Sequence, residues 1–155
     1  MTPIHLAVPH IQQQLPGECL AACAEMVLTH LAMPVAYEKL LNLLQVRSGF
    51  GTPAGNIRYL EQLKLEIIYR QGDFDDLADH LKQGQPCIAF IKTSELPYWD
   101  EAVDHAVVVV GLDDQFIYLN DPAFPTAPIQ VERGEFDLAW LNWGEKYAVL
   151  IPQER

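Results

Sequence analysis

Gln12 to Leu31 reads QQQLPGECLAACAEMVLTHL. Pro16-Gly17 breaks the backbone, Glu18 can serve near a helix start, and Cys19 opens a run with no further breaker. Leu20, Ala21, Ala22, Cys23, Ala24, Met26, Val27, Leu28 and Leu31 follow, interrupted only by Glu25, Thr29 and His30. A helix apolar on nearly every side is a buried helix. Its first turn exposes unpaired backbone N–H groups and the positive end of the dipole, a setting that favours thiolate over thiol. Cys19 is therefore the best nucleophile candidate in the chain, set against the ordinary fate of a free cysteine as a small buried hydrophobe.

Composition narrows the field. The 155 residues suit one domain, 1–155, with a sizeable core, and half of them are hydrophobic. A net charge of -11 argues against nucleic-acid and anionic-membrane binding and makes a mildly basic peptide the more natural partner. Three cysteines is an odd number, and no secretory segment precedes them, so a reducing cytoplasm is the expected setting. The longest apolar runs, such as Ala106 to Leu112, are too short to span a bilayer.

The chain reads helical first and β-rich later, an α+β order in which the buried helix packs on an antiparallel sheet. Ile4 to Val8 is a short extended segment, and Tyr37 to Val46 an amphipathic helix. Thr52-Pro53 predicts an N-cap and first-turn proline for a helix through Ile57, Leu60 and Leu63. Gly49, Gly51 and Gly55 look like a phosphate loop only superficially, and capping is the expected role. Leu65 to Tyr69 reads as a strand, Asp73 to Leu81 as a helix, and Cys87 to Ile91 as a buried strand. The clearest β signal is a hairpin, Ala106 to Leu112 and Phe116 to Asn120. Ile129 to Val131, the helix Glu135 to Leu141 and the strand Tyr147 to Ile151 complete it.

The hairpin brings Cys19 its partners. His105 stands before its first strand and Asp121 after its second. A three-residue turn at Leu112 to Asp114 would set the two directly opposite, whereas a two-residue turn would slip the register and call for a bulge. An imidazole oriented by a carboxylate is what a general base needs. Asp104 is less suited, because neighbours on a strand point to opposite faces. Cys23 lies one turn after Cys19, as a redox or metal pair or as core packing. Cys87 reads as core, and His5, His10, His30 and His80 lack metal-ligand spacing, so no metal or cofactor is expected. Tyr98 and Trp99 either line the cleft beside His105 or simply pack.

These residues make the sequence resemble the bacteriocin-processing, or double-glycine, peptidase family of the papain-like clan. Gln13 stands six residues before Cys19, Met26-Val27-Leu28 follows, His105-Ala106-Val107-Val108 opens a Val-rich strand, and Asp121-Pro122 comes sixteen residues after the histidine. Gly51-Thr52 and Glu135-Phe136 also match, so the likeness covers most of the chain. Leu20-Ala21 departs from the family's usual Gly-Pro, next to the specificity pocket. Members are often fused to an exporter, and the absence of such segments implies a stand-alone form.

The resemblance implies a papain-like fold and a cysteine peptidase with a Cys19–His105–Asp121 triad. Gln13 and the Cys19 backbone N–H would supply the oxyanion hole. The implied substrate is a peptide or protein cut through a thioester, after small residues such as Gly-Gly. An acyl- or amide-transferring relative and a catalytically silent peptide-binding domain are the alternatives.

Overall fold

The computed structural model describes residues 1–153. Its frame is one antiparallel sheet of seven strands among the described residues. These are β1 (Ile4–His5), β2 (Leu65–Gln71), β3 (Cys87–Lys92), β4 (Asp104–Leu112), β5 (Phe116–Asn120), β6 (Ile129–Glu132) and β7 (Lys146–Pro152). They lie in the order β2-β7-β3-β4-β5-β6, with β1 paired to the far end of β4. β4 is central, hydrogen-bonded to β3 on one side and β5 on the other.

Both faces of the sheet are covered. Ala106, Val108 and Val110 of β4 join a core with the helices α1 (Cys19–His30) and α2 (Tyr37–Leu43) and the 3-10 segment Ala54–Leu63. Val107, Val109 and Leu112 join a second core with α3 (Phe74–Lys82) and α4 (Arg133–Leu141). A strand buried on both faces has no polar side to show, which is why β4 reads as an unbroken apolar run. The small side chains Ala21, Ala22, Cys23 and Ala24, each 0 % exposed, let α1 lie close to the sheet. No described helix is long and apolar enough to cross a membrane.

Two local expectations are corrected, and one alternative is decided. The Thr52 hydroxyl does not cap a following helix; it donates to the Leu44 carbonyl at 3.0 Å, as does Asn56 Nδ2 at 2.9 Å. Those bonds close the end of α2, which stops at Leu43, and the chain beyond Pro53 coils as a 3-10 segment. Gly49 and Gly51 are turn residues at φ 86° and 90°, not helix caps. The β4–β5 turn is the two-residue kind, since the Asp113 N–H donates to the Phe116 carbonyl at 2.9 Å. A bulge lies between Val109 and Gly111, beyond which Val108 faces Asn120. Continuing that register sets Asp121 beside Val107, so His105 and Asp121 are diagonal neighbours on one face rather than directly opposed.

One close approach fixes how the loop before α1 meets the loop after α2. Gly17 has φ 84°, and a Cβ there would stand 2.6 Å from the Gly51 nitrogen. The left-handed backbone alone costs an L residue about 1–2 kcal/mol. Gly17→Ala should therefore lower the melting temperature by about 5 °C or more, given about 2–4 °C per kcal/mol at this size. Gly134→Ala, where nothing lies within 4 Å of the added carbon, should leave it unchanged or raise it in the same thermal scan.

Candidate active site

Cys19 is the first residue of α1 and half-buried. It lines a cleft of about 950 Å³ together with Gln13, His105 and Trp99. One wall is the loop from Arg47 to Ala54; the other runs from Trp99 to Ala106 with Lys92 and Trp143. Cys23 is turned into the core, where burial first and then Cys19 and Asp121 push its thiol well up. Burial does the same to Cys87. All three cysteines are free thiols.

His105 enters from the second position of β4 and is 7 % exposed. Its Nε2 lies 2.7 Å from Asp121 Oδ1. Burial works against a charged ring, but the Asp121 hydrogen bond and then Cys19, as bonding partner and as charge, raise the imidazole from 6.5 to about 9. The pair is therefore imidazolium and carboxylate at neutral pH.

Asp121 is wholly buried, and its two oxygens have four donors. Oδ1 accepts from His105 and from the Ala123 N–H at 2.9 Å. Oδ2 accepts from the Tyr98 hydroxyl at 2.7 Å and the Trp99 indole at 2.9 Å. Burial alone would push this carboxyl up, yet His105, Ala123 and Tyr98 together hold it below its usual value. The Trp99 ring also stands edge-on to His105, with centroids 4.9 Å apart. Tyr98 and Trp99, left open by the sequence between cleft and packing, thus hold the acid. The signal available was their place just ahead of His105.

Gln13 reaches the cleft from the segment before α1. Its backbone N–H donates to the Pro122 carbonyl at 2.8 Å, which ties it to the loop carrying Asp121. Its side-chain Nε2 donates to the Leu15 carbonyl at 3.2 Å, while Oε1 is buried without a partner. One amide hydrogen is thereby spoken for and the other remains. Asp104 is bonded instead to Lys92 at 3.2 Å and to the Trp143 indole at 3.1 Å. His10 and His30 approach backbone carbonyls, His80 sits against Gln85, and His5 packs on Tyr118. Among the described residues no three His, Cys, Asp or Glu side chains gather as metal ligands would.

Sequence reasoning also passed over Glu18. It occupies the N-cap position, yet its side chain does not cap the helix and is 2 % exposed. Nothing in a lone acid beside a cysteine distinguishes it from a helix-start residue.

Comparison with known proteins places the fold. The family model described as the peptidase C39 family matches residues 7–151. A C39-like peptidase from Bacillus anthracis superposes with a TM-score of 0.82 at 19 % identity, covering 100 % of both chains. The peptidase domain of Streptococcus ComA, a bifunctional ABC transporter of a quorum-sensing pathway, gives 0.75 at 20 % identity over 93 % of this chain and 98 % of that one. A double glycine motif protease from an AMS/PCAT transporter, solved with its leader peptide, gives 0.71 at 26 % identity over 99 % of each. No curated protein matches the sequence.

The buried pair has a pH signature. The His105 pKa is raised on folding, from 6.5 to about 9, so its stabilisation is complete below the lower value and is lost as pH rises through the higher. The melting temperature of the wild type should fall between about pH 7 and about pH 9.5, and His105→Ala should lack that part of the slope. Parallel curves for the two proteins would show that the ring is neutral in the fold.

Proposed function

The chain belongs to the peptidase C39 family, and from that premise we propose that it hydrolyses a peptide or amide bond through a thioester on Cys19. The observation that carries the reading is the His105–Asp121 contact at 2.7 Å in the wall of the cleft that Cys19 lines. Residues 1–155 would act as one peptidase domain, of which the last two lie outside the described residues.

Each residue has one task. Cys19 sulfur, as thiolate beside the His105 imidazolium, attacks the substrate carbonyl carbon. The resulting oxyanion is received by the remaining Gln13 Nε2 hydrogen and by the Cys19 backbone N–H, which a first-turn residue leaves without an intrahelical acceptor. His105 then protonates the leaving amine as the C–N bond breaks, leaving an acyl thioester. Because Nε2 is engaged by Asp121, Nδ1 is the nitrogen that exchanges the proton with sulfur and amine. Water, deprotonated by the now neutral ring, attacks the thioester and releases the carboxylic acid and the thiolate.

Small residues ahead of the cut are the natural substrate side. Backbone from Gly17, Gly49 and Gly51 lines the cleft near Cys19, and a relative at 26 % identity is a double glycine motif protease bound to a leader peptide. A free thiol nucleophile suits a reducing compartment such as the cytoplasm.

The test is turnover of a peptide library that includes Gly-Gly sequences. Cys19→Ala and His105→Ala should each abolish cleavage. Gln13→Ala should lower the rate by about 10²–10³-fold, the scale of one oxyanion donor, with little change in KM. An active Cys19→Ala protein would remove the mechanism, and wild type that binds library peptides without cutting any would establish a silent binding domain instead.

A further inference from the structure

Glu18 is a buried carboxylate next to the nucleophile, and the steps above do not use it. Three donors converge on it from three segments. The Tyr37 hydroxyl reaches Oε1 at 2.8 Å from the start of α2, and the Leu15 N–H reaches the same oxygen at 3.2 Å. The Ser48 hydroxyl reaches Oε2 at 2.7 Å from the loop that forms one wall of the cleft. Every partner is a donor, which is the environment of an ionised carboxylate. Burial and the bond to Glu18 push the Tyr37 phenol up, so it remains a donor.

The bonds continue toward the catalytic amide. The Glu18 N–H donates to the Leu15 carbonyl at 3.3 Å, while the Leu15 N–H donates to the Glu18 side chain. Leu15 is thus gripped at both ends of its backbone by one residue. The same Leu15 carbonyl accepts the Gln13 side-chain Nε2 at 3.2 Å. That contact decides which end of the Gln13 amide is the donor and where its second hydrogen points. Gly49, next to Ser48, donates its N–H to the Pro16 carbonyl at 2.8 Å, so the wall loop is tied to the same turn twice.

We propose that Glu18 is a positioning residue for the oxyanion hole, acting through Leu15 to aim the Gln13 amide and held in turn by Tyr37 and Ser48. The assignment rests on the thioester reading, and it adds a distinct requirement. Without the charge at Glu18, Gln13 would still be present but its donor would no longer be fixed. Reactions of Cys19 that build up an oxyanion should suffer, and reactions that do not should be spared.

Two reagents separate those cases without any knowledge of the natural peptide. With p-nitrophenyl acetate, Cys19 sulfur attacks the acetyl carbon, the ester C–O bond breaks, p-nitrophenolate leaves with the electron pair, and the acetyl thioester forms through a tetrahedral oxyanion. With iodoacetamide, sulfur displaces iodide at a saturated carbon and no oxyanion arises.

Glu18→Gln should slow acetylation of Cys19 by about tenfold, the scale of one hydrogen bond to a charged group. Ser48→Ala, which removes one exposed hydroxyl and leaves the Tyr37 and Leu15 bonds, should slow it in the same direction and serves if Glu18→Gln does not fold. Alkylation should stay within about twofold in both variants, and Glu18→Gln should cost nothing further in a Gln13→Ala background. Unchanged acetylation in the variants, an equal loss in alkylation, or additive effects with Gln13→Ala would each overturn the assignment. Wild type that is alkylated but never acetylated at Cys19 would instead overturn the thioester reading on which it rests.

Discussion

A carboxylate without access to water, Asp121, has to be supplied with donors or it would not remain charged. The fold supplies four, and their sources explain much of the molecule. The loop after β3 contributes Tyr98 and Trp99. The start of β4 contributes His105, and the turn after β5 contributes the Ala123 N–H. Breaking such a pair from one side would strand a buried charge, the costly case for ion pairs in protein interiors. The same saturation makes Asp121 an acceptor that cannot easily take a proton, so it orients the ring and sustains its charge.

The sheet and α1 then bring Cys19 and that ring to one cleft. α1 buries nearly its whole surface, and its run of alanines brings it close to β4, whose first residues carry the histidine. Cys19 therefore sits where a helix start meets a strand start, at the edge of two packed layers and open to a cleft. The segment before α1 is anchored separately. Asn120 Nδ2 donates to the Val8 carbonyl at 3.1 Å, and Gln13 N–H donates to Pro122. Gln13 and Asp121 are thus placed by the same short stretch of backbone.

Much of this was legible because the relevant patterns are local. An unbroken apolar run after Pro16-Gly17 can only be a buried helix, and its first residue is fixed by the breaker. The Val-rich hairpin likewise shows where His105 and Asp121 must lie, at one end of two paired strands. The spacing of Gln13 from Cys19 was informative only through the family resemblance, since a glutamine in a run of three carries no physical signal. Register was less legible. Asp113 closes a two-residue turn with its own carboxylate, accepting the Gln115 and Phe116 N–H groups at 2.8 and 2.7 Å, and a bulge then shifts the pairing. Thr52 was misread because its hydroxyl serves a carbonyl eight residues back instead of the helix ahead. Glu18 is held by Tyr37 and Ser48, 19 and 30 residues away, and Tyr98 and Trp99 reach Asp121 across 23 and 22. No sequence period records such contacts.

The central claim is that Asp121 holds His105 as an imidazolium in the cleft that Cys19 lines, and its ring nitrogens report this directly. A pH titration of the His105 imidazole by 15N NMR should give a midpoint near 9 in the wild type. The midpoint should drop in Cys19→Ala and in Asp121→Ala, each of which removes a source of the shift. A wild-type midpoint at or below the ordinary 6.5, unmoved by either substitution, would contradict the account.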